Sequence, residues 1–200
     1  MNMIKSLWML LLSVSTVFLA LPSQSSTLSD ALNDGRHVLM IRHADAPGFS
    51  DPAGFKIGDC STQRNLGERG RKQAQELGLW LSRQGIDSAE VLSSAWCRCV
   101  DTATLLAKGP VIIAPALNSF FRNMSDSGPQ TVALRALLAE RLKPSGAVAI
   151  SKKPLILVTH QVNISAYTGE SVGQGDVILV RVDDRGAYVS HRVIPVPKFN

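Results

Sequence analysis

Four short runs of branched, apolar residues punctuate the chain: His37–Arg42 (HVLMIR), residues 89–93 (AEVLS), residues 111–115 (VIIAP) and Leu155–Thr159 (LILVT). Runs of this length without polar alternation predict strands buried on both faces. The segments between them carry helical spacing instead. Glu68–Arg83 sets Ala74, Leu77 and Leu81 on one side at i, i+3 and i+7, with Arg69, Lys72 and Gln73 turned elsewhere. Residues 95–108 run into Gly109-Pro110, a helix stop followed by a turn. Residues 129–142 open with proline in the first turn and predict Leu134, Leu138 and Leu142 as buried positions. A short helix is predicted at Gln161–Thr168. Val177–Val182 and Tyr188–Ile194 flank Asp183-Asp184-Arg185-Gly186, the pattern of an antiparallel hairpin. Strands alternating with helices and closing on a hairpin predict an α/β fold. Its form is a three-layer α/β/α sandwich with a mostly parallel central sheet and an antiparallel edge. Loops 44–66 and 118–128 are long for a compact domain, and long loops tend to be functional or mobile.

The start of the chain stands outside this pattern. Lys5 is followed by a nearly all-apolar run at 7–21 (LWMLLLSVSTVFLAL), then by a small polar exit, Pro22-Ser23-Gln24-Ser25-Ser26. That layout predicts a secretory signal peptide over residues 1–25, leaving one domain over residues 26–200. The other reading is an uncleaved membrane anchor, and roughly 15 apolar residues fall short of the ~20 needed to span. No cysteine stands at the exit, so a lipoprotein anchor is not indicated. The expected location is therefore periplasmic or secreted, an oxidising setting.

Composition narrows the function classes. The chain has 200 residues, 45% hydrophobic and 18% charged, which is enough apolar surface for one core and excludes a disordered or collagen-like protein. A net charge of +5 favours anionic partners. The Lys and Arg are scattered, with no run longer than Lys152-Lys153, so a nucleic-acid stripe is not indicated. Membrane contact is expected only through the signal segment while it remains attached. Three cysteines are too few for a disulfide scaffold. In an oxidising compartment Cys60 has two candidate partners, Cys97 and Cys99, and either bond ties the first long loop to the helix carrying Arg98.

In open α/β sheets ligands bind beyond the carboxyl ends of the strands. At those ends stand Arg42 and His43, then Ser93-Ser94 with Arg98 in the following helix, then His160 before a short helix. Helix starts supply free N–H groups and arginine supplies a planar cationic fork, and both suit a phosphoryl dianion. A neutral imidazole is available as a nucleophile near pH 7. The pattern RHA at Arg42-His43-Ala44, SSAWCR at residues 93–98, VTH at residues 158–160 and RNLGERGRKQA at residues 64–74 resembles the histidine phosphatase (phosphoglycerate mutase-like) superfamily. The resemblance covers residues 36–194 and implies that family's fold. It also implies a mechanism without cofactor or metal. His43 takes the phosphoryl group as a phosphohistidine, which water then hydrolyses. Arg42, Arg98 and His160 hold the oxygens, and Arg64 is a further candidate for phosphate contact.

Two departures from the family pattern matter. Members usually have glycine where this chain has Ala44, a mild change. Mutase- and phytase-like members carry a carboxylate after the third strand or directly after the second histidine, and here those places read Asn118-Ser119 and Gln161. The general acid is thus unassigned. Asp45, Asp51 and Asp59 are candidates in the long loop, against a plainer reading as solvated or capping residues. A missing acid costs about 10²–10⁴-fold on a poor leaving group and less on a phosphoramidate. Small phosphohistidine phosphatases resemble the chain in size and in lacking the acid. Exported lipopolysaccharide-core heptose phosphatases resemble it in signal peptide, size and motif layout, so the expected substrate is a phosphorylated small molecule, a sugar or a lipid. The alternative is a non-catalytic phosphate-binding member of the same fold. A third reading, a basic module for anionic lipid or glycan, leaves the Arg42, His43, Arg98 and His160 set unexplained. A metal site at His43, Asp45 and His160 is disfavoured by the adjacent arginines, which repel a cation. His37 and His191 read as edge or surface residues, and Trp80 and Trp96 as packing, with Trp96, next to Arg98, also a candidate to border the substrate.

Overall fold

A computed structural model describes residues 27–142 and 153–198; the expected signal peptide lies outside the described residues. The elements are α1 (Leu28–Leu32), β1 (His37–Arg42), α2 (Glu68–Arg83), β2 (Glu90–Ser93), α3 (Cys97–Leu105), β3 (Val111–Ile113), α4 (Ser127–Arg141), β4 (Leu155–Thr159), α5 (Gln161–Thr168), β5 (Val177–Val182) and β6 (Tyr188–Ile194). Six strands form one sheet in the order β3-β2-β4-β1-β5-β6. The β1, β4, β2 and β3 strands are mutually parallel, β5 is antiparallel to β1, and β6 is antiparallel to β5.

The chain leaves β1, passes β4's place to reach β2 and β3, then turns back to insert β4 between β1 and β2. Parallel crossovers are right-handed, so reversing the direction of travel moves the connecting helix to the opposite face. Two apolar clusters follow from this. On one face Leu39, Ile41, Val91, Ile156 and Val158 pack with Leu77 and Leu81 of α2 and Cys99 and Ala103 of α3. On the other, Val38, Met40, Leu92 and Leu157 pack with Leu134 and Leu138 of α4 and Ile164 and Tyr167 of α5. The expected three layers are therefore present. Leu77, Leu81, Leu134 and Leu138 are all buried, and each contributes about 2 kcal/mol by that burial.

Several local expectations are corrected. The β3 strand is an edge strand, with Ile112 43% and Ile113 47% exposed, because an apolar run does not by itself distinguish a central strand from an edge. Pro115 belongs to a 3-10 turn at Pro115–Leu117. The α3 helix begins two residues later than expected, because Trp96 keeps an extended backbone (φ −67°, ψ 134°) as its N-cap. Leu142 is half-buried. The short α1 has no helical spacing in sequence to mark it; Thr27 and Asp30 cap it reciprocally. Gly70 lets the first long loop lie directly on α2, because a Cβ there would overlap the Asp45 carbonyl oxygen.

Candidate active site

The carboxyl ends of β1, β4 and β2 are neighbours at the point where the strand order reverses, the usual ligand crevice of such sheets. His43 directly follows β1, and its N–H donates to Thr159 O at 3.0 Å. His160 follows β4 as the N-cap of α5, whose start has no side-chain cap. Arg98 sits in the first turn of α3. Sequence positions far apart thus meet at one end of the sheet. Together with Arg42, Arg64, Asp51 and Trp96 they line a cavity of about 350 Å³.

The hydrogen bonds assign the imidazole tautomers. His43 Nδ1 lies 2.9 Å from Ala44 O, and a carbonyl only accepts, so Nδ1 carries the proton and Nε2 keeps its lone pair. Burial, reinforced by the charges of Arg98, Arg64 and Arg42 and opposed by the Ala44 hydrogen bond, pushes the His43 pKa down to about 3. Arg98 Nη2 donates to His160 Nδ1 at 3.5 Å, and His160 Nε2 donates to Ser94 Oγ at 2.8 Å. Burial and then Arg98 hold His160 well below the ordinary imidazole value. Both rings are neutral at pH 7, and they meet edge-on with centroids 5.5 Å apart.

The arginines are fixed from behind. Arg42 Nη1 donates to Val172 O at 2.7 Å. Arg64 Nη1 donates to Ala46 O and Gly48 O at 2.6 and 3.1 Å. Arg98 Nη1 pairs with Asp51 Oδ1 at 2.8 Å, and both side chains are nearly inaccessible. The Nε atoms of Arg42, Arg64 and Arg98 are all buried without a hydrogen-bond partner. What favours an anion is the three guanidinium charges beside one cavity, each a planar fork that matches phosphoryl oxygens. Arg64 lines the cavity with its guanidinium anchored on backbone carbonyls.

Of the three loop carboxylates, Asp59 follows the plainer reading as a cap, and Asp51 follows neither. Asp59 caps the turn at Cys60–Thr62, and Asp45 pairs with Arg69 at 2.6 Å; neither lines the cavity. Asp51 does, but as a buried anchor. It accepts from Arg98 Nη1, from the Arg64 N–H at 3.0 Å and from Trp96 Nε1 at 3.1 Å. Burial alone would raise its carboxyl; the Arg98 hydrogen bond and charge outweigh it and hold the group below the usual range. At pH 7 it is a carboxylate with no proton to give. Asn118, where relatives carry an acid, accepts from the Ala95 N–H at 2.9 Å.

Of the two cysteine alternatives, Cys60 bonds Cys97, joining the loop to the residue before Arg98. Cys99 is free and buried with Sγ 3.4 Å from His160 Nε2; burial pushes its thiol up to about 12, so it serves as packing. His37 pairs with Asp34 and His191 with Glu170, both away from the cavity. Trp96 does border it, edge-on to His160 at 5.4 Å. Ala44 needs no glycine, because among the described residues Ala107 is the one non-glycine with positive φ. Sequence reasoning missed Asp51 as the Arg98 anchor, Gln63 as the acceptor for the Cys97 N–H, and four phenylalanines at the cavity wall. The last had a readable signal: all four fall in or beside the two long loops.

A profile of the histidine phosphatase superfamily (branch 1) matches residues 38–143. The mitochondrial serine/threonine-protein phosphatase Pgam5 of Drosophila ananassae is 34% identical over 73 residues, and that of Drosophila melanogaster 32% over 73. The matched stretch is 36% of this chain and only 22% of those curated relatives. In solved structures, mycobacterial hydrolase 1 superposes with TM-score 0.55 at 17% identity, covering 79% of this chain and 96% of that one. The protein histidine phosphatase SixA complexed with tungstate superposes with TM-score 0.52 at 19% identity, covering 78% and 96%. At such identities the likeness is one of fold. The profile, by contrast, runs over more than half the chain, from β1 through Arg42, His43, Arg64 and Arg98 to the end of α4, and the chain belongs to the histidine phosphatase superfamily, branch 1.

Proposed function

We propose that the protein is an exported, metal-independent phosphatase that hydrolyses a phosphomonoester or phosphoramidate through a phosphohistidine on His43. The observation that carries this reading is the convergence of Arg42, Arg64 and Arg98 on one cavity with His43, a neutral imidazole whose Nδ1 proton is held by Ala44 O and whose Nε2 keeps its lone pair. His43 Nε2 attacks phosphorus; the P–N bond forms as the bond to the leaving atom breaks, and the electron pair departs with that atom, which takes a proton from water. Arg42 and Arg98 hold the phosphoryl oxygens and stabilise charge as it shifts, with Arg64 beside them; His160 joins them when its Nε2–H leaves Ser94 Oγ for a phosphoryl oxygen. Water then attacks phosphorus, passing a proton to the hydroxide left by the first step, as the P–N bond breaks and its electron pair returns to Nε2. Guanidinium charge does the work that a metal ion does in other phosphatases. Export is supported by the pattern of residues 1–25 and by the Cys60–Cys97 bond, which an oxidising compartment preserves. Exported phosphate esters are commonly sugar or lipid phosphates, and these are the substrates proposed.

The test is phosphate release in EDTA from p-nitrophenyl phosphate, sugar phosphates and a phosphohistidine, with His43→Ala beside the wild type. Activity that survives EDTA and falls about 10³-fold or more in the variant is the expected result. Equal turnover by the variant, or its abolition by EDTA, refutes the mechanism. No release from any compound with vanadate still bound leaves the non-catalytic phosphate-binding alternative.

A further inference from the structure

All four phenylalanines among the described residues, Phe49, Phe55, Phe120 and Phe121, line this one cavity. Phenylalanine ordinarily goes to the core. Here Phe49 is 83% and Phe121 43% exposed, yet they meet edge-on with centroids 5.5 Å apart. One comes from the loop after β1 and the other from the loop before α4, so the pair bridges the two loops at the cavity mouth. A second aromatic pair lies beside them, Phe55 against Trp96 at 5.7 Å, with the Arg122 guanidinium 5.6 Å from the Phe55 ring centre. Trp96 in turn touches His160, so the aromatic wall runs continuously to the arginine floor.

Exposed rings that find no place in either apolar cluster are left available to a ligand, and their position beside the anion floor says which part of it. We infer that the substrate's leaving group is a ring, an arene or a sugar, seated against Phe49, Phe121 and the Phe55–Trp96 pair while its phosphate lies on the arginines. This rests on reading the cavity as the phosphatase site. Arenes and sugar rings share the chemistry required: a flat or C–H-lined face that lies on an aromatic ring. A short alkyl ester offers no such face.

The test compares kcat/KM for benzyl phosphate, glucose 6-phosphate and ethyl phosphate, which all release an alkoxide, in the wild type and in Phe49→Ala/Phe121→Ala. The expected result is a fall of about tenfold in the ratio of a ring ester to ethyl phosphate. Whichever ring ester falls further identifies the source of the ring. Ratios that do not move for either ester overturn the inference. If the wild type turns over none of the three, the phosphomonoester half of the proposed function fails, and calorimetry with phenylphosphonate and methylphosphonate decides the present question separately. A preference for the phenyl compound that the double variant abolishes upholds the ring site; equal affinities overturn it.

Discussion

Asp51→Asn removes one charge from the most buried ion pair at the site while keeping its volume. The Asp51 and Arg98 side chains are 7% and 5% exposed, and their atoms lie 2.8 Å apart. Breaking such a pair from one side costs about 3–5 kcal/mol, because the remaining charge stays buried and uncompensated. Asn also turns an amide N–H₂ toward donors, since the Arg64 N–H and Trp96 Nε1 both point at the carboxylate. Without ligand, the variant is therefore expected to unfold at about 3 kcal/mol lower free energy, a fall in Tm of about 6–12 °C for a chain this size. A phosphate or vanadate dianion supplies Arg98 with a new counter-charge, so the gap between variant and wild type narrows when the anion is saturating. Urea melts of both proteins with and without vanadate read this directly. A ligand-free difference under about 1 kcal/mol, or a gap that widens with vanadate, refutes the view that Asp51 and the substrate anion share one guanidinium.

Two further outcomes are expected. The Cys60–Cys97 bond spans a sequence separation of 37, for which the chain-entropy estimate is about 4 kcal/mol; Cys60→Ser/Cys97→Ser, or reduction of the wild type, should lower the urea midpoint accordingly, and an identical midpoint counts against the bond. His43 and His160 are held neutral when folded, with pKa values below the unfolded 6.5, so the unfolded chain binds the extra protons. Stability is then full above about pH 6.5 and declines as pH falls from there toward about 3 for His43, by about 1.4 kcal/mol per pH unit per histidine. His43→Asn should remove one proton's share of that slope, and a midpoint flat between pH 7 and 5 contradicts the assignment.

The branched apolar runs and the helical spacing at Ala74, Leu77 and Leu81 were enough to name the strands, the main helices and the three-layer architecture, because those patterns are local. The site's outline was legible for the same reason: Arg42-His43, Arg98 and His160 each stand just beyond a recognisable strand, and strand ends converge. What only the folded chain decided depends on which way neighbouring residues face. Cys97 and Cys99 lie about 200° apart around α3, so the choice of partner for Cys60 depends on where the sheet is: Cys99 turns into the core cluster and Cys97 toward the loop. Asp51 reaches Arg98 across 47 residues of sequence through a loop with no periodicity to read. The exposure of β3 is equally non-local, since an edge is defined by a neighbour that is not there. Local pattern sets what each segment becomes; the packing of segments against each other sets which side chains meet, and the arginines, their anchor and the aromatic wall are all products of that packing.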